Sequence, residues 1–194
     1  MNEYFRNVMQ ELSASLATLD DENFNQLVDE CEQTLKAGRQ VIVSGLGKNV
    51  PVCEKFVGTM NSMGLNARYM NTNSAVHGDI GMVHENDLVI ILTKSGETVE
   101  SVYLTNLLKK RGANIWLLSF SKDSTLTHAI PKQLLMELDN EGDAWNIAPN
   151  NSTTLNLIVL QGVAIELIRR MGVELSDFKM NHPGGFIGEQ LKNV

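Results

Sequence analysis

Ser95-Gly96-Glu97-Thr98 follows closely on an apolar run, Leu88-Val89-Ile90-Ile91-Leu92, with only Thr93 and Lys94 between. Two hydroxyls, a glycine that lets the backbone turn, and the free N–H groups of a following helix make an anion site suited to a phosphate. Glu97 does not belong in a pure anion site, because a carboxylate repels a phosphate. It either serves as an acid or base aimed past the phosphate at another part of a ligand, or it has a capping role near the helix N-terminus.

A second loop, Ser44-Gly45-Leu46-Gly47-Lys48-Asn49-Val50, also stands between a strand pattern and a helix pattern. It fails as a dinucleotide fingerprint: Val50 holds the third glycine position, and no acid ends the second strand. It fails as a phosphate-binding Walker loop too, because the leading glycine is missing and Asn49 follows the lysine. What survives is a tight turn or a ligand-facing loop in which Ser44, Gly45, Lys48 and Asn49 are candidate contacts. A third candidate is Asn150-Asn151-Ser152-Thr153-Thr154. One hydroxyl there would cap a helix; three in a row also suit a second phosphate-facing helix start. His77, in His77-Gly78-Asp79, and His182, in His182-Pro183-Gly184-Gly185, lie among loop glycines and are read as either structural or catalytic. His84 and His128 lack such surroundings and are read as surface residues. No histidine pair has metal-ligand spacing on a helix, so no metal or other cofactor is expected.

These loops need elements to hold them. Phe5, Val8, Leu12, Leu16 and Leu19 recur at helical spacing, as do Phe24, Leu27, Val28, Cys31 and Leu35, closed by Gly38. Five short apolar segments then read as strands: Val41–Val43, Ala67–Met70, Leu88–Leu92, Ile115–Leu118 and Leu134–Leu138. Helical patterns separate them: Val52 to Met63, Val99 to Leu107, and a short stretch within Asp123 to Ala129. A long apolar helix runs from Ser152 to Met171. Alternating apolar strands and helices predict an α/β fold, a doubly wound parallel sheet sandwiched by helices, with an N-terminal helical pair. Ligands in such folds sit at the carboxyl ends of the strands, where the loops at 44–48 and 94–98 both fall.

With 194 residues, 43% apolar and 20% charged, the chain is expected to fold as a single domain, 1–38 forming the N-terminal helices and 39–194 the α/β core. Its net charge of −7 argues against nucleic acid as the main partner, but not against a small anion held by local donors. No apolar run reads as a membrane span, and MNEYFRNVMQ lacks the apolar centre of a signal peptide. Cys31 and Cys53 fall in helical apolar patterns and are expected to be reduced core thiols of a cytoplasmic protein.

Taken together, Gly45-Leu-Gly-Lys48, His77-Gly-Asp-Ile-Gly-Met82, Ser95-Gly-Glu-Thr98, Ile147-Ala-Pro-Asn-Asn-Ser-Thr-Thr154 and Asp177-Phe-Lys-Met-Asn-His-Pro-Gly-Gly185 occur in one order. This set closely resembles the sugar isomerase (SIS) domain family, and within it the arabinose-5-phosphate isomerases, from about Val41 to Gly188. The resemblance implies five parallel strands in a flavodoxin-like sandwich, usually assembled as a homotetramer. It implies a sugar phosphate as ligand, its phosphate held by Ser95, Gly96 and Thr98 and by Ser152, Thr153 and Thr154. It also implies that Lys48, Glu97, Glu141 and His182 line the reactive end of the sugar, with His77 close by. Glu141 is matched by its place before Pro149, and His182 is expected to serve either its own pocket or a neighbouring subunit's.

The chain departs from the family pattern at several points. Asn49-Val50 replaces a usual Ser-Gly, Lys94 a usual Asn, Asn71-Thr72 a usual His-Pro, and Asp143-Ala144 a usual Cys-Pro. The paired regulatory (CBS) module common after this domain is not in the sequence. The implied activity is interconversion of an aldose and a ketose phosphate through an enediol, with Glu97 or Glu141 as base. The alternative is a non-catalytic sugar-phosphate sensor, which needs the phosphate cradle but not the glutamates and His182.

Overall fold

The computed structural model describes residues 2–192. Helix α1 (Glu3–Leu16) starts at Asn2, whose side chain accepts from the Tyr4 amide. Helix α2 (Asp21–Lys36) starts at Asp20, which accepts from the Asn23 amide; Asp21 and Glu22 sit in its first turn and Lys36 in its last, matching the helix dipole. The apolar stripe of α2 is used as expected, with Leu27, Val28 and Cys31 buried. That of α1 is used in part: Leu12 is buried and Val8, Leu16 and the following Leu19 pack half-buried against the same core, while Phe5 faces solvent.

Five strands follow: β1 (Val41–Gly45), β2 (Ala67–Tyr69), β3 (Leu88–Leu92), β4 (Asn114–Ser119) and β5 (Gln133–Leu135). They form one parallel sheet in the order β2-β1-β3-β4-β5. The strands β1 and β3 are buried along their whole length, which is why their sequences are near-continuous apolar runs rather than alternating ones. β5 stops at Leu135 although the apolar pattern continues to Leu138. The Met136 amide still donates to Ser119 (3.1 Å), but the Glu137 amide donates to the Thr18 hydroxyl (2.9 Å), so the chain leaves the sheet for the turn between α1 and α2.

The crossovers are α3 (Asn49–Ser62), α4 (Thr72–Ala75) followed by a 3₁₀ turn (Asp79–Met82), α5 (Val99–Lys110) and α6 (Thr125–Ala129). Helices α7 (Asn151–Arg170), α8 (Leu175–Met180) and α9 (Gly185–Leu191) complete the chain. On one face of the sheet Leu12, Leu27, Phe56, Leu155 and Val163 pack against Val41, Val43, Ile90 and Trp116; on the other Ala75, Leu104, Leu108 and Leu126 pack against Ile42, Val89, Ile91 and Leu117. By length and composition α7 is apolar enough to cross a membrane, contrary to the sequence reading, but it packs against α1, α2 and α3 as the central helix of its layer. Cys31 and Cys53 are free and buried, and burial pushes both thiols up, Cys53 to about 12, so neither is a ready nucleophile.

The sheet order reverses at β1. The chain runs from β1 outwards to β2, then returns to β3 on the other side, and the register pairs Gly45 with Leu92 at the carboxyl ends. In folds of this kind ligands sit where neighbouring crossovers diverge, which here is between the two loops singled out in the sequence.

Candidate functional site at the carboxyl ends of β1 and β3

The β1 loop is held tight. A Cβ on Gly45 would lie 2.8 Å from the Asn49 Cβ and 3.3 Å from the Leu92 Cβ, so only glycine lets the end of β1 close on β3 and α3. Gly47 takes φ +57°, turning the chain into α3. Lys48 follows at the N-cap, exposed and without an ion pair or hydrogen bond among the described residues. Asn49 turns inward, its Oδ1 accepting from the Nδ2 of buried Asn156 at 2.9 Å, which ties α3 to α7. Ser44 lies deeper than the rest of the loop. It is wholly buried, donates to the Met70 carbonyl (2.7 Å) and lies 2.9 Å from the Thr72 hydroxyl, so its side chain fastens β1 to the start of α4 instead of facing a ligand.

The β3 loop is stapled to its neighbour after β4. Gly96, at φ +70°, packs so closely that a Cβ would fall 2.0 Å from the Ser124 Oγ. Its carbonyl accepts from the Leu126 amide at 3.1 Å. The Glu97 carboxylate accepts from the Thr125 amide (2.6 Å) and the Thr125 hydroxyl (2.7 Å), so it caps α6, not the helix it precedes. Those two donors hold its carboxyl below the usual range. Thr98 is the N-cap of α5 yet makes no capping hydrogen bond, which leaves the first-turn amides of α5 open. Ser95 and Thr98 flank that opening. Glu100, in the same first turn, has no hydrogen bond or ion pair among the described residues.

The start of α7 is arranged differently. The Glu141 Oε2 accepts from the Asn150 amide (3.0 Å) and the Ser152 amide (2.9 Å), and the Thr153 and Thr154 hydroxyls both donate to the Asn150 carbonyl, at 2.9 and 3.0 Å. This helix start already carries an anion. The Ser152 amide and the Thr153 and Thr154 hydroxyls, expected to face a phosphate, are here turned to Glu141 and to the Asn150 carbonyl, and the charge beside them is negative.

The other oxygen of Glu141, Oε1, sits 2.7 Å from the Lys94 ammonium. The carboxylate is fully buried, while Lys94 is 44% exposed. Burial pushes the Glu141 carboxyl up, but Lys94 and the Ser152 and Asn150 amides together outweigh it, and the net direction is down. Glu141 is thus ionised at neutral pH, the form a proton acceptor needs. Nothing in the sequence marks Lys94 as its counter-ion, because the two lie far apart along the chain and no local pattern links them.

The two loop histidines are not brought together. His77 is exposed in the turn after α4. His182 lies between α8 and α9, its Nδ1 2.7 Å from the Phe178 carbonyl and its ring 3.9 Å from the Phe178 ring, centroid to centroid. The adjacent Asn181 donates to the Ser62 carbonyl at the end of α3. Since α3 has 14 residues and spans about 20 Å, His182 and Lys48 stand at opposite ends of it. The largest cavity described, about 500 Å³, is also at the far edge, and its charged groups Glu30, Lys132 and Arg39 are already paired: Glu30 takes Lys132, Asn114 and Trp116 at 2.8 Å each, and Arg39 donates to the Glu85 carbonyl.

Comparison with known proteins places this geometry. A family model described as the SIS domain matches residues 34–166. Arabinose 5-phosphate isomerase KdsD of Pseudomonas aeruginosa is 34% identical over 167 residues, covering 86% of this chain and 51% of that protein. The Yersinia pestis protein of the same name is 30% identical over 186 residues, covering 96% of this chain and 57% of that one. A structure of an Escherichia coli CFT073 protein in complex with arabinose 5-phosphate superposes with TM-score 0.85 at 27% identity, covering 94% of this chain and all of that one. The chain belongs to the SIS domain family. It spans about half the length of the curated relatives it matches.

Proposed function

We propose that this protein is an aldose–ketose isomerase acting on a sugar phosphate, with arabinose 5-phosphate as the first candidate. The observation that carries the reading is the open N-terminus of α5, with the Ser95 and Thr98 hydroxyls beside it and the Lys94–Glu141 pair at its edge. The amides and hydroxyls take the phosphate. Lys48, uncommitted in the next loop, steadies the developing negative charge on the carbonyl oxygen. Glu141 takes the proton from the carbon beside the carbonyl and returns it to the former carbonyl carbon, while the hydroxyl proton passes from one oxygen to the other, so the sugar is isomerised with no net gain or loss of atoms or electrons. Glu97 is pinned to Thr125 and acts as a fastener of the phosphate loop. The names of the curated relatives support the substrate class.

In this reading the chain is one domain. The 1–38 helices belong with the 39–194 core because Leu12, Leu27 and Val28 share a cluster with Val163 and Trp116. The site is completed by a second copy. Val99, Trp145 and Ile147, exposed at 77%, 78% and 74%, offer apolar surface for it, and the distance of His182 from its own Lys48 supports a role in a neighbour's pocket. A homotetramer in the cytoplasm agrees with this and with the two free thiols. Incubation with a panel of aldose and ketose phosphates in heavy water tests the proposal. Deuterium at the carbon next to the carbonyl is the expected result; saturable binding without exchange would make the protein a sensor instead.

A further inference from the structure

Glu141 is the most buried acid at this edge and has one mobile partner. Its Oε2 is fixed by two backbone amides, whereas Oε1 has only the Lys94 ammonium, 2.7 Å away. The other titratable groups around it are acids and the Tyr4 hydroxyl of α1, which accepts from the Asn150 side chain at 3.3 Å. Asp139 and Asp143 lie in its own loop; Glu11 of α1 accepts from the Asp139 and Asn140 amides, and Asp143 accepts from the Trp145, Ile147 and Ala148 amides. Among these groups Lys94 alone is a cation. It also stands directly before Ser95, in the loop that opens onto the uncapped start of α5.

These two positions put Lys94 between two anions. A phosphate monoester bound at Ser95 to Thr98 carries about twice the charge of a carboxylate at neutral pH. Lys94 is close to half exposed and has a flexible four-carbon stem with three rotatable donors, so it can turn from one anion to the other without rebuilding the loop. Once it turns, the buried Oε1 has no cation, and one of the influences that lowers the Glu141 carboxyl against its burial is gone.

We infer that Lys94 is a phosphate-gated counter-ion: it neutralises Glu141 in the free protein and swings to the phosphate when the sugar phosphate docks, leaving Glu141 a base without its cation. This deepens the isomerase reading and rests on it for the identity of the ligand. The gate makes the carboxylate strongly basic only when a substrate carbon is beside it. A neutral side chain at position 94 would offer no charge to move, so the device depends on this lysine.

The test follows the carboxyl carbon of Glu141 by NMR in protein labelled with ¹³C-glutamate, the signal being assigned with Glu141→Gln. Titrations are run on the free protein, with saturating inorganic phosphate and with arabinose 5-phosphate, while ³¹P NMR reports binding. In the wild type the Glu141 midpoint should rise by about one pH unit or more when phosphate is bound. In Lys94→Met it should already be high and barely respond; Lys94→Arg should restore the response. Binding with an unmoved Glu141 midpoint in the wild type overturns the gate and leaves the isomerase reading standing. Failure of both ligands to bind overturns the two together. The wild-type arm decides the matter even if the methionine variant does not fold.

Discussion

Glu97 and Glu141 bear the same group on the same edge of the sheet, and their partners give them different work. Glu97 is exposed and holds α6 through Thr125, whereas Glu141 is buried and faces Lys94 across the crevice. Glu141→Gln should therefore lower isomerase turnover by roughly a hundredfold or more. Glu97→Gln should act mainly through a looser phosphate loop, raising KM with a smaller change in kcat. Steady-state kinetics on the two variants separate the roles, and equal losses of kcat would contradict the assignment. Glu100→Gln belongs in the same series, because its carboxylate is uncommitted. A further consequence concerns acid stability. The folded-state carboxyl of Glu141 is held below its unfolded value, so its contribution to stability is present above the ordinary carboxylate range and is lost as pH falls through the folded value. Urea unfolding should show the wild type more stable than Glu141→Gln at neutral pH, with the gap shrinking as the solution is acidified. A gap that widens in acid would mean Glu141 is held neutral.

Two helix starts face the crevice, and the structure fills one and leaves the other open. At α7 the anion is Glu141; at α5 Thr98 provides no cap. The loop before α5 keeps its shape through Gly96, where a side chain would meet Ser124 and the backbone has positive φ. Gly96→Ala should destabilise the fold by about 1–3 kcal/mol and weaken phosphate binding, measured by urea unfolding and by ³¹P titration. An unchanged unfolding midpoint would show that the loop is not held as described. The sheet itself is legible in the sequence. The apolar runs of β1, β3 and β4, the capping and closing residues of α2, and the glycine turn after β3 are all local signals. The early end of β5 is not, because it depends on Thr18, distant in the chain, taking the Glu137 amide. The carboxylate at the start of α7 is hidden for the same reason: the run Ser152 to Thr154 has the local pattern of an anion site, and only the fold shows that Glu141 lies against its amides. Helices α8 and α9 escape a sequence reading because their turns are short and much of their apolar surface, including Met180 and Phe186, is exposed and gives no burial pattern.

At the scale of the whole molecule, the sequence sets five blocks in order and the fold divides them between two edges of the sheet. Lys48, Ser95, Thr98 and Glu141 gather at the carboxyl edge, while His182 is tied through Asn181 to the far end of α3. If each pocket takes Lys48 from one copy and His182 from another, two inactive proteins should rescue each other. Lys48→Ala and His182→Ala, co-refolded in equal amounts, should recover activity at about a quarter of the sites. No recovery, with assembly verified by light scattering, would place all groups in one protomer or remove His182 from the site. The most direct measurement of the central claim is a crystal structure of the protein with bound arabinose 5-phosphate. The phosphate is predicted to lie on the α5 amides and the Ser95 and Thr98 hydroxyls, with the sugar directed towards Lys48 and Glu141. A phosphate bound at another edge, or a crevice that stays empty at saturating sugar phosphate, would contradict it.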